Sequence, residues 1–339
     1  MPTIVEVAKR AGVSIATVSN VIRETRPVSE ERKKRVLAAI RDLNYSPNEI
    51  ARSLKVRQTR MIAMVLPDIT NPFFPEMIRG AEDAAFGRGY FLLTANTDEQ
   101  TGREKRIVNA LRSYRVDGIL LATAQGLQGR DTSHIASVVK GGVAVVCLDR
   151  AVPEVPTDAI LLDNVGGARE GVRHLIKQGH RRIGIITGPL HVQTGLERLQ
   201  GYKLALEDSG LPLDPELILE GDFRFESGLR CSAQLLKSKN RPTALFVCNG
   251  VMGQGVLQTL DDMHRSTPED IALVTFDDIS PDHGFHPQVT VVVQPSYEMG
   301  SRAANMLMDR VEGQLTGKVS IVRVSPKLVV RESTLKPVK

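Results

Sequence analysis

Eight residues suited to binding a small polar molecule follow short apolar runs of the sequence. These runs cover residues 61–66, 144–148, 244–248, 271–276 and 289–293, and the residues behind them are Asn71, Phe73, Phe74, Asp149, Arg150, Asn249, Asp277 and Gln294. Carboxylates, amides and guanidinium groups hydrogen-bond hydroxyls, and an aromatic ring stacks on the C–H face of a sugar. Singly, each residue fits a helix cap or a packed loop equally well. Together they favour a site for a polyhydroxylated ring.

Enzyme motifs are the alternative to such a binding site. Residues 250–255 (Gly-Val-Met-Gly-Gln-Gly) follow an apolar run and open a helical stretch, but their spacing fits neither G-x-G-x-x-G nor a Walker loop. Asp282, His283 and His286 lie among prolines and a glycine, which favours a loop over a metal site. The sequence has no G-x-S-x-G and no H-E-x-x-H. We therefore expect no enzyme activity, no metal and no cofactor.

Short strands and helices alternate behind residue 60. Strand-like runs lie at 61–66, 90–95, 118–122 and 144–148, and a second series lies at 159–162, 183–187, 244–248, 271–276 and 289–293. Helical stretches between them include 75–88, 166–178, 197–209 and 296–311. This alternation predicts an α/β fold with parallel sheets, and the two series predict two similar lobes. Ligands in such folds bind beyond the carboxyl ends of the strands, often between lobes.

The charge is concentrated at the N-terminus. The chain has 339 residues and a net charge of +5, yet residues 1–60 alone carry 13 Lys and Arg against 6 Asp and Glu. A basic head on a near-neutral body is typical of a nucleic-acid-binding domain attached to another domain. The chain shows no apolar run of membrane-spanning length and no signal peptide at its start, and Cys147, Cys231 and Cys248 are widely spaced. We expect a soluble cytoplasmic protein with free, buried thiols.

The head has the pattern of a helix-turn-helix. Thr3 is placed to cap a helix over residues 4–11, and after Gly12 and Val13, Ser14 is placed to cap a second helix over 15–22. A third helix, capped by Ser29, is expected to bury Val36, Ile40 and Leu43. In this motif the start of the second helix contacts bases. The pattern therefore assigns Ile15, Ala16, Thr17 and Asn20 to DNA, and Val18 and Val21 to the core.

Two stretches of the head resemble the LacI/GalR family of repressors. They are residues 3–22 (Thr-Ile-Val-Glu-Val-Ala-Lys-Arg-Ala-Gly-Val-Ser-Ile-Ala-Thr-Val-Ser-Asn-Val-Ile) and residues 45–54 (Tyr-Ser-Pro-Asn-Glu-Ile-Ala-Arg-Ser-Leu). The resemblance implies a lambda-repressor-like head, and a hinge helix that folds on an operator and pushes Leu54 into the minor groove. A short linker helix with Leu54 in ordinary packing is the alternative. The implied DNA contacts are Thr3, Ser14, Ile15, Ala16, Thr17, Ser19, Asn20, Arg26, Tyr45, Asn48, Ala51, Leu54 and Lys55.

The rest of the chain resembles the sugar sensors of this family and the ribose-binding protein. The resemblance adds Arg198 and Phe223 to the eight binding residues above. Gly250 departs from the acidic residue usual after Asn249, which leaves the capping of the next helix and the choice of sugar open. Two cleft arginines also leave open a sugar acid or sugar phosphate, and a purine is a further alternative.

The domain organisation follows from these assignments. We expect a helix-turn-helix domain at 1–46, a hinge and linker at 47–60, and a sensor at 61–339. Its first lobe is expected at about 61–160 and 293–321, and its second at about 161–292 and 322–339.

The sequence thus predicts a homodimeric, non-enzymatic repressor. It would bind a near-palindromic operator and respond to a sugar-like effector between its lobes. Residues 335–339 show no heptads, so we expect no zipper-made tetramer. A sugar-transport protein and an α/β enzyme are the rivals from other classes. The effector's identity, and whether it induces or co-represses, are left open.

Overall fold

A computed structural model describes residues 2–24, 26–46, 58–127, 129–279 and 288–335. The chain divides into two compact units, residues 1–59 and 60–339. The predicted hinge helix lies outside the described residues, as do Asn48, Ala51, Leu54, Lys55 and the loop with Asp282, His283 and His286. None of the helices in the described ranges is both long and apolar enough to span a membrane.

The smaller unit contains the predicted helices α1 (Ile4–Ala11), α2 (Ile15–Arg23) and α3 (Glu30–Asp42). Thr3 and Glu6 cap α1 reciprocally, and Gly12 ends the helix in the left-handed region at φ 62°. The Ser14 hydroxyl accepts from the Thr17 amide at the start of α2. These caps fix the two helix boundaries that define the turn.

A small apolar core joins the three helices. Val7, Val18 and Val36 are fully buried, and Ile40 and Leu43 are partly buried against them. Ser29 precedes α3, but its side chain makes no capping hydrogen bond, so that expectation is wrong. The acidic residues in the first turn of α3 favour the helix start instead, because they lie at the positive end of its dipole.

The larger unit alternates strands with helices. The strands are β1 (Met61–Leu66), β2 (Phe91–Asn96), β3 (Gly118–Leu121), β4 (Ala144–Leu148), β5 (Asp158–Leu162), β6 (Ile183–Thr187), β7 (Ile218–Glu220), β8 (Ala244–Val247), β9 (Ala272–Phe276), β10 (Thr290–Val293), β11 (Ile321–Val324) and β12 (Lys327–Val329). The helices are α4 (Phe73–Gly87), α5 (Thr101–Ser113), α6 (Ser133–Lys140), α7 (Asn164–Lys177), α8 (Gln193–Asp208), α9 (Phe225–Lys237), α10 (Gly250–Asp262) and α11 (Ser296–Val311).

The strands form two sheets, one in each lobe. The first has the order β11-β5-β4-β3-β1-β2 and the second the order β12-β10-β9-β8-β6-β7. All pairings are parallel except that of β12 with β10, which is antiparallel. The inner strands, such as β1 and β3, are apolar throughout and almost fully buried, as expected where helices cover both faces.

The chain passes between the sheets after Leu162, after Val293 and after Val324. The lobe limits suggested by the sequence at 160/161, 292/293 and 321/322 fall inside β5, β10 and β11, and each of these strands is paired within a single sheet. We therefore place the lobe limits at these three crossings. Cys147, Cys231 and Cys248 are buried and free, as predicted.

Helices α4 and α11 pack at glycines. A Cβ added to Gly300 of α11 would overlap the Met77 carbonyl oxygen of α4, and one on Gly80 would overlap the Tyr297 carbonyl. Neither site leaves room for a methyl group, because the obstacle is backbone.

Gly300→Ala should therefore lower the free energy of unfolding by about 1–3 kcal/mol through overpacking. Gly102→Ala is the matched control, since Gly102 is exposed in the first turn of α5 with nothing near its missing Cβ. That variant should be neutral or more stable by up to about 1 kcal/mol. Urea unfolding of both variants measures the difference, and equal stabilities would contradict the close packing.

Candidate functional site

A small cavity lies where the carboxyl ends of both sheets meet. All ten residues predicted to bind an effector line it: Asn71, Phe73, Phe74, Asp149, Arg150, Arg198, Phe223, Asn249, Asp277 and Gln294. Five further residues line it that the sequence analysis did not select: Asp68, Glu99, Thr194, Asp222 and Arg224. The cavity volume of about 40 Å³ has room for only a few water molecules, so a larger ligand requires the walls to separate.

Tight turns place several of these side chains. Asp149 and Asp277 directly follow β4 and β9 with left-handed backbones, φ 61° and 65°. Phe223 also has a positive φ, 67°, which is uncommon for a bulky residue. Its carbonyl accepts from Asn249 Nδ2 at 2.9 Å, and its ring lies so close to Gly188 that a Cβ there would overlap it.

The close packing at this edge of the second sheet also explains why position 250 is a glycine. A Cβ at Gly250 would overlap the Asp278 carbonyl oxygen, so glycine lets the segment after β9 approach the start of α10. Asn249 caps α10 by accepting from the Met252 amide at 2.9 Å. The departure from the acidic residue therefore leaves the helix cap intact.

Arg150 is held by a carboxylate that the sequence analysis missed. The guanidinium is 4% exposed, and its two terminal nitrogens each lie 2.8 Å from an oxygen of Glu99. It also donates to the Thr123 carbonyl at 3.0 Å. Although burial opposes its charge, these hydrogen bonds with Glu99 raise the pKa of Arg150. Glu99 comes three residues after β2, and the polar residues behind that strand were the available signal.

Arg198 is held in a different way. Its Nε donates to Asn164 Oδ1 at 2.8 Å, and Nη1 donates to the Cys248 carbonyl at 2.6 Å. The guanidinium carbon lies 3.8 Å from the centre of the Phe276 ring. Such stacking favours a cation that is out of water.

Two buried acids complete the polar wall. Burial raises the pKa of Asp277 to about 6, while Arg198 and a 2.7 Å hydrogen bond from Gln294 Nε2 act against the shift. Burial also raises the pKa of Asp149, and Arg150 and Arg198 offset part of it. Among the described residues, Asp149 Oδ1 and Gln294 Oε1 are buried acceptors with no hydrogen-bond partner. Such atoms are costly unless a ligand or a water molecule in the cavity satisfies them.

The aromatic part of the wall comes from the start of α4 and from the turn after β7. Phe73 and Phe74 are buried, with ring centres 4.9 Å apart in an edge-on contact. The Asn71 side chain accepts from the Phe73 amide at 3.1 Å, which fixes the turn before the helix. Apolar rings thus lie beside the acids and guanidinium groups.

A few polar contacts join the two lobes around the cavity. Arg224 donates to Asp98 across the rim at 3.1 Å. The Ala151 amide donates to Gln193 Oε1 at 2.9 Å, and the Leu127 amide donates to the His191 carbonyl at 2.7 Å. Contacts of this kind break more easily than a packed apolar interface.

The predicted DNA contacts in the head differ in exposure. Ile15, at 47%, and Ala16 are exposed at the start of α2, and Arg26 is exposed beyond its end. Thr17, Ser19, Asn20 and Tyr45 are partly buried, so Asn20 is less exposed than its helix position suggested. The hydroxyls of Thr3 and Ser14 already hydrogen-bond within the head.

The glycines at 250–255 have a packing role. A Cβ at Gly253 would press on the Thr275 side chain, and one at Gly255 would overlap the Phe225 carbonyl. These glycines let α10 approach its neighbours, which accounts for the motif without a nucleotide. Within the described ranges, no three His, Cys, Asp or Glu residues cluster as metal ligands.

Comparisons with known proteins find related families for both compact units of the chain. Residues 3–48 match the model of bacterial regulatory proteins of the lacI family, and residues 172–334 match a periplasmic binding protein-like domain. The HTH-type transcriptional repressor PurR of Proteus mirabilis is 38% identical over 98% of this chain and 97% of its own length.

Two solved structures extend the likeness over the whole chain. The transcriptional regulator CelR in complex with cellobiose is 34% identical, with a TM-score of 0.74 over 98% of this chain and all of its own. The lac repressor dimer bound to operator and the anti-inducer ONPF is 26% identical, with a TM-score of 0.86 over 99% of each chain. The chain therefore belongs to the LacI family of bacterial regulatory proteins, and it is a DNA-binding transcription regulator with a small-molecule sensor.

Proposed function

We propose that this protein is a homodimeric, non-enzymatic repressor that acts in the cytoplasm and is switched by a sugar-like effector in the cavity between its lobes. The observation that carries the proposal is a pair of buried, unpartnered acceptors, Asp149 Oδ1 and Gln294 Oε1, in a wall that also holds aromatic rings. Ligand hydroxyls would satisfy those acceptors, and the rings of Phe73, Phe74 and Phe223 would cover the C–H faces.

The basic head supplies the DNA-binding half of this function. Exposed Ile15 and Ala16 at the start of α2 are available to base edges, and Arg26 is available to phosphate. Asn20, one turn further along α2, is the residue we assign to a base. The half-buried Tyr45 and the capping residues Thr3 and Ser14 would position α2 and add backbone contacts.

The dimer has a suitable surface on the first lobe. Strand β2 is an edge strand of its sheet, and Phe91 and Leu93 on it are 68% and 41% exposed. Phe86, near the end of α4, is 75% exposed. We assign this apolar patch to contact with a second copy, because an operator of two half-sites calls for a two-fold dimer.

The function is tested by a melting screen of pentoses, hexoses, their acids and phosphates, and purines, followed by operator titration. A ligand of the folded state raises the melting temperature. We expect a neutral sugar to do so and to change operator affinity at least tenfold, upwards for a co-repressor and downwards for an inducer. Turnover of the ligand, or a melting shift with no change in operator affinity, would contradict the proposal.

Asn20→Ala should weaken binding to the native operator by about 1–3 kcal/mol, because an amide pairs bidentately with a base edge. Selectivity at one base position of each half-site should relax. Fluorescence anisotropy with operators mutated at single positions measures both effects. An equal loss of affinity on every DNA sequence would show that Asn20 contacts only the sugar-phosphate backbone of the DNA.

Asp277→Asn should lower effector affinity at least tenfold, because the buried carboxylate is a charged acceptor for hydroxyls. Asp278→Asn is the matched control: Asp278 carries the same charge but pairs with Arg331 at 2.6 Å and does not line the cavity. Calorimetric titration of both variants should show loss only for Asp277. Similar affinities in the two variants would remove Asp277 from the site.

The pH dependence of effector affinity should also show the contribution of Asp277. Since the pKa of Asp277 is about 6, and a hydroxyl donor binds its ionised form, effector affinity should rise with pH and level off above about 6. The protein without ligand should lose stability as pH rises from the ordinary value near 3.8 to about 6, because the folded state favours the protonated acid.

Burial raises the pKa of Asp149 as it does that of Asp277. The charges of Asp278 and Arg198 also act on Asp277. The comparison with Asp277→Asn therefore isolates this group. The variant should flatten the pH dependence of affinity near 6. An unchanged profile in Asp277→Asn would assign the titration to Asp149.

A further inference from the structure

The pairing of Arg150 with Glu99 occupies the end of the guanidinium, one of the faces through which arginine binds an anion. Each terminal nitrogen of Arg150 faces one Glu99 oxygen at 2.8 Å, the two-point geometry with which arginine recognises carboxylates and phosphates. The remaining nitrogen, Nε, lies 3.6 Å from Asp149 Oδ2 and makes no hydrogen bond among the described residues. The protein has thus already filled the two terminal positions at which an acidic ligand would pair end-on with Arg150.

Glu99 is set in place by its turn. Asp98 and Glu99 are consecutive non-glycine residues with positive φ, 53° and 55°. A residue with a Cβ is strained in that region, so two in a row need support from their surroundings. The Glu99 amide donates to the Pro67 carbonyl at 3.1 Å, which ties the turn to the end of β1. The Glu99 side chain reaches Arg150 from the rim and remains 36% exposed.

The other cavity arginines are also engaged. Arg198 donates to Asn164 and to the Cys248 carbonyl, and it stacks on Phe276. Arg224 donates to Asp98. The wall contains three arginines against five acidic residues, Asp68, Glu99, Asp149, Asp222 and Asp277. No guanidinium of the described wall offers both terminal nitrogens to a ligand.

We propose that Glu99 sets the charge selectivity of the effector site: it is a built-in counter-ion of Arg150 that admits uncharged polyols and excludes carboxylated or phosphorylated ones. This inference rests on the proposed function, because it narrows the ligand class of the same cavity. An acidic ligand that enters beside Glu99 places two like charges together. One that displaces Glu99 must first break the two-point ion pair with Arg150. The sugar acids and sugar phosphates left open by the sequence are thereby excluded.

The counter-ion role of Glu99 can be tested with small anions, without knowing the effector. Removing the Glu99 carboxylate leaves a space of the same shape beside two parallel N–H donors. A small carboxylate such as formate or acetate would fit that space and restore the pairing. In the wild-type protein the same ion meets the Glu99 carboxylate and is repelled.

The experiment measures formate and acetate binding to the full-length protein by melting temperature and calorimetry, with chloride at equal ionic strength as the reference. Glu99→Ala should bind formate at least tenfold more tightly than wild type. Asp222→Asn is the matched control, because it removes one negative charge from the same wall without touching Arg150. It should gain less than twofold.

Glu99→Gln keeps the shape of the side chain and guards against a folding defect in Glu99→Ala. In this variant the affinity ratio of gluconate to glucose, or of ribose 5-phosphate to ribose, should rise at least tenfold over wild type. Three results would overturn the proposal: a formate affinity that does not rise in Glu99→Ala, one that rises equally in Asp222→Asn, or an affinity ratio of acidic to neutral sugar that stays unchanged in Glu99→Gln. A formate gain without any polyol binding would support the counter-ion role of Glu99 while contradicting the sugar-sensing function.

Discussion

The cleft depends on keeping two guanidinium groups charged but out of water. Arg150 and Arg198 are each 4% exposed, and a buried charge without partners costs several kcal/mol. Each lobe solves this problem with its own residues. In the first lobe Glu99 and the Thr123 carbonyl surround Arg150, and in the second the Cys248 carbonyl and the Phe276 ring surround Arg198. Because these hydrogen bonds lie within one lobe, the lobes can separate without breaking them, although the charge of Arg198 also acts on Asp149 of the first lobe.

That independence fits a sensor whose lobes move. The described contacts between the lobes near the cavity are few and polar, such as Arg224 with Asp98. At the first crossing, Asn164 hydrogen-bonds both Arg198 and Glu197, so the crossing segment is tied to the wall of the cavity. A ligand that contacts both walls binds the closed arrangement better than an open one, and it therefore shifts the population between them. Differential contacts of this kind are what a regulator needs to convert ligand binding into a change of affinity elsewhere.

Much of this arrangement was predictable because one physical rule governs it. Parallel strands align their carboxyl ends, so polar residues directly after strands, such as Asp149 and Asp277, were selected from the sequence alone. Glu99 was missed because no residue behind β2 was selected. Asp68 was missed because the pattern behind β1 does not show which polar residues of that turn face the cavity. Asp222 and Arg224 were missed because β7, which precedes them, is a three-residue, partly exposed edge strand without a clear apolar pattern. The edge strands β11 and β12 were not predicted for the same reason. The antiparallel pairing of β12 with β10 depends on tertiary packing, which the local sequence pattern does not show.

The central claim is that ligand contacts in the cleft control DNA binding. It is tested most directly by the ratio of operator dissociation constants with and without a saturating neutral sugar, measured by anisotropy for wild type and for Arg198→Lys. Lysine keeps the charge but loses the planar group that stacks on Phe276 and reaches Asn164 and Cys248 together. The account predicts a ratio that differs from one by at least tenfold in wild type and falls close to one in the variant, while operator affinity without sugar is unchanged. An equal ratio in both proteins, each saturated with sugar, would contradict it.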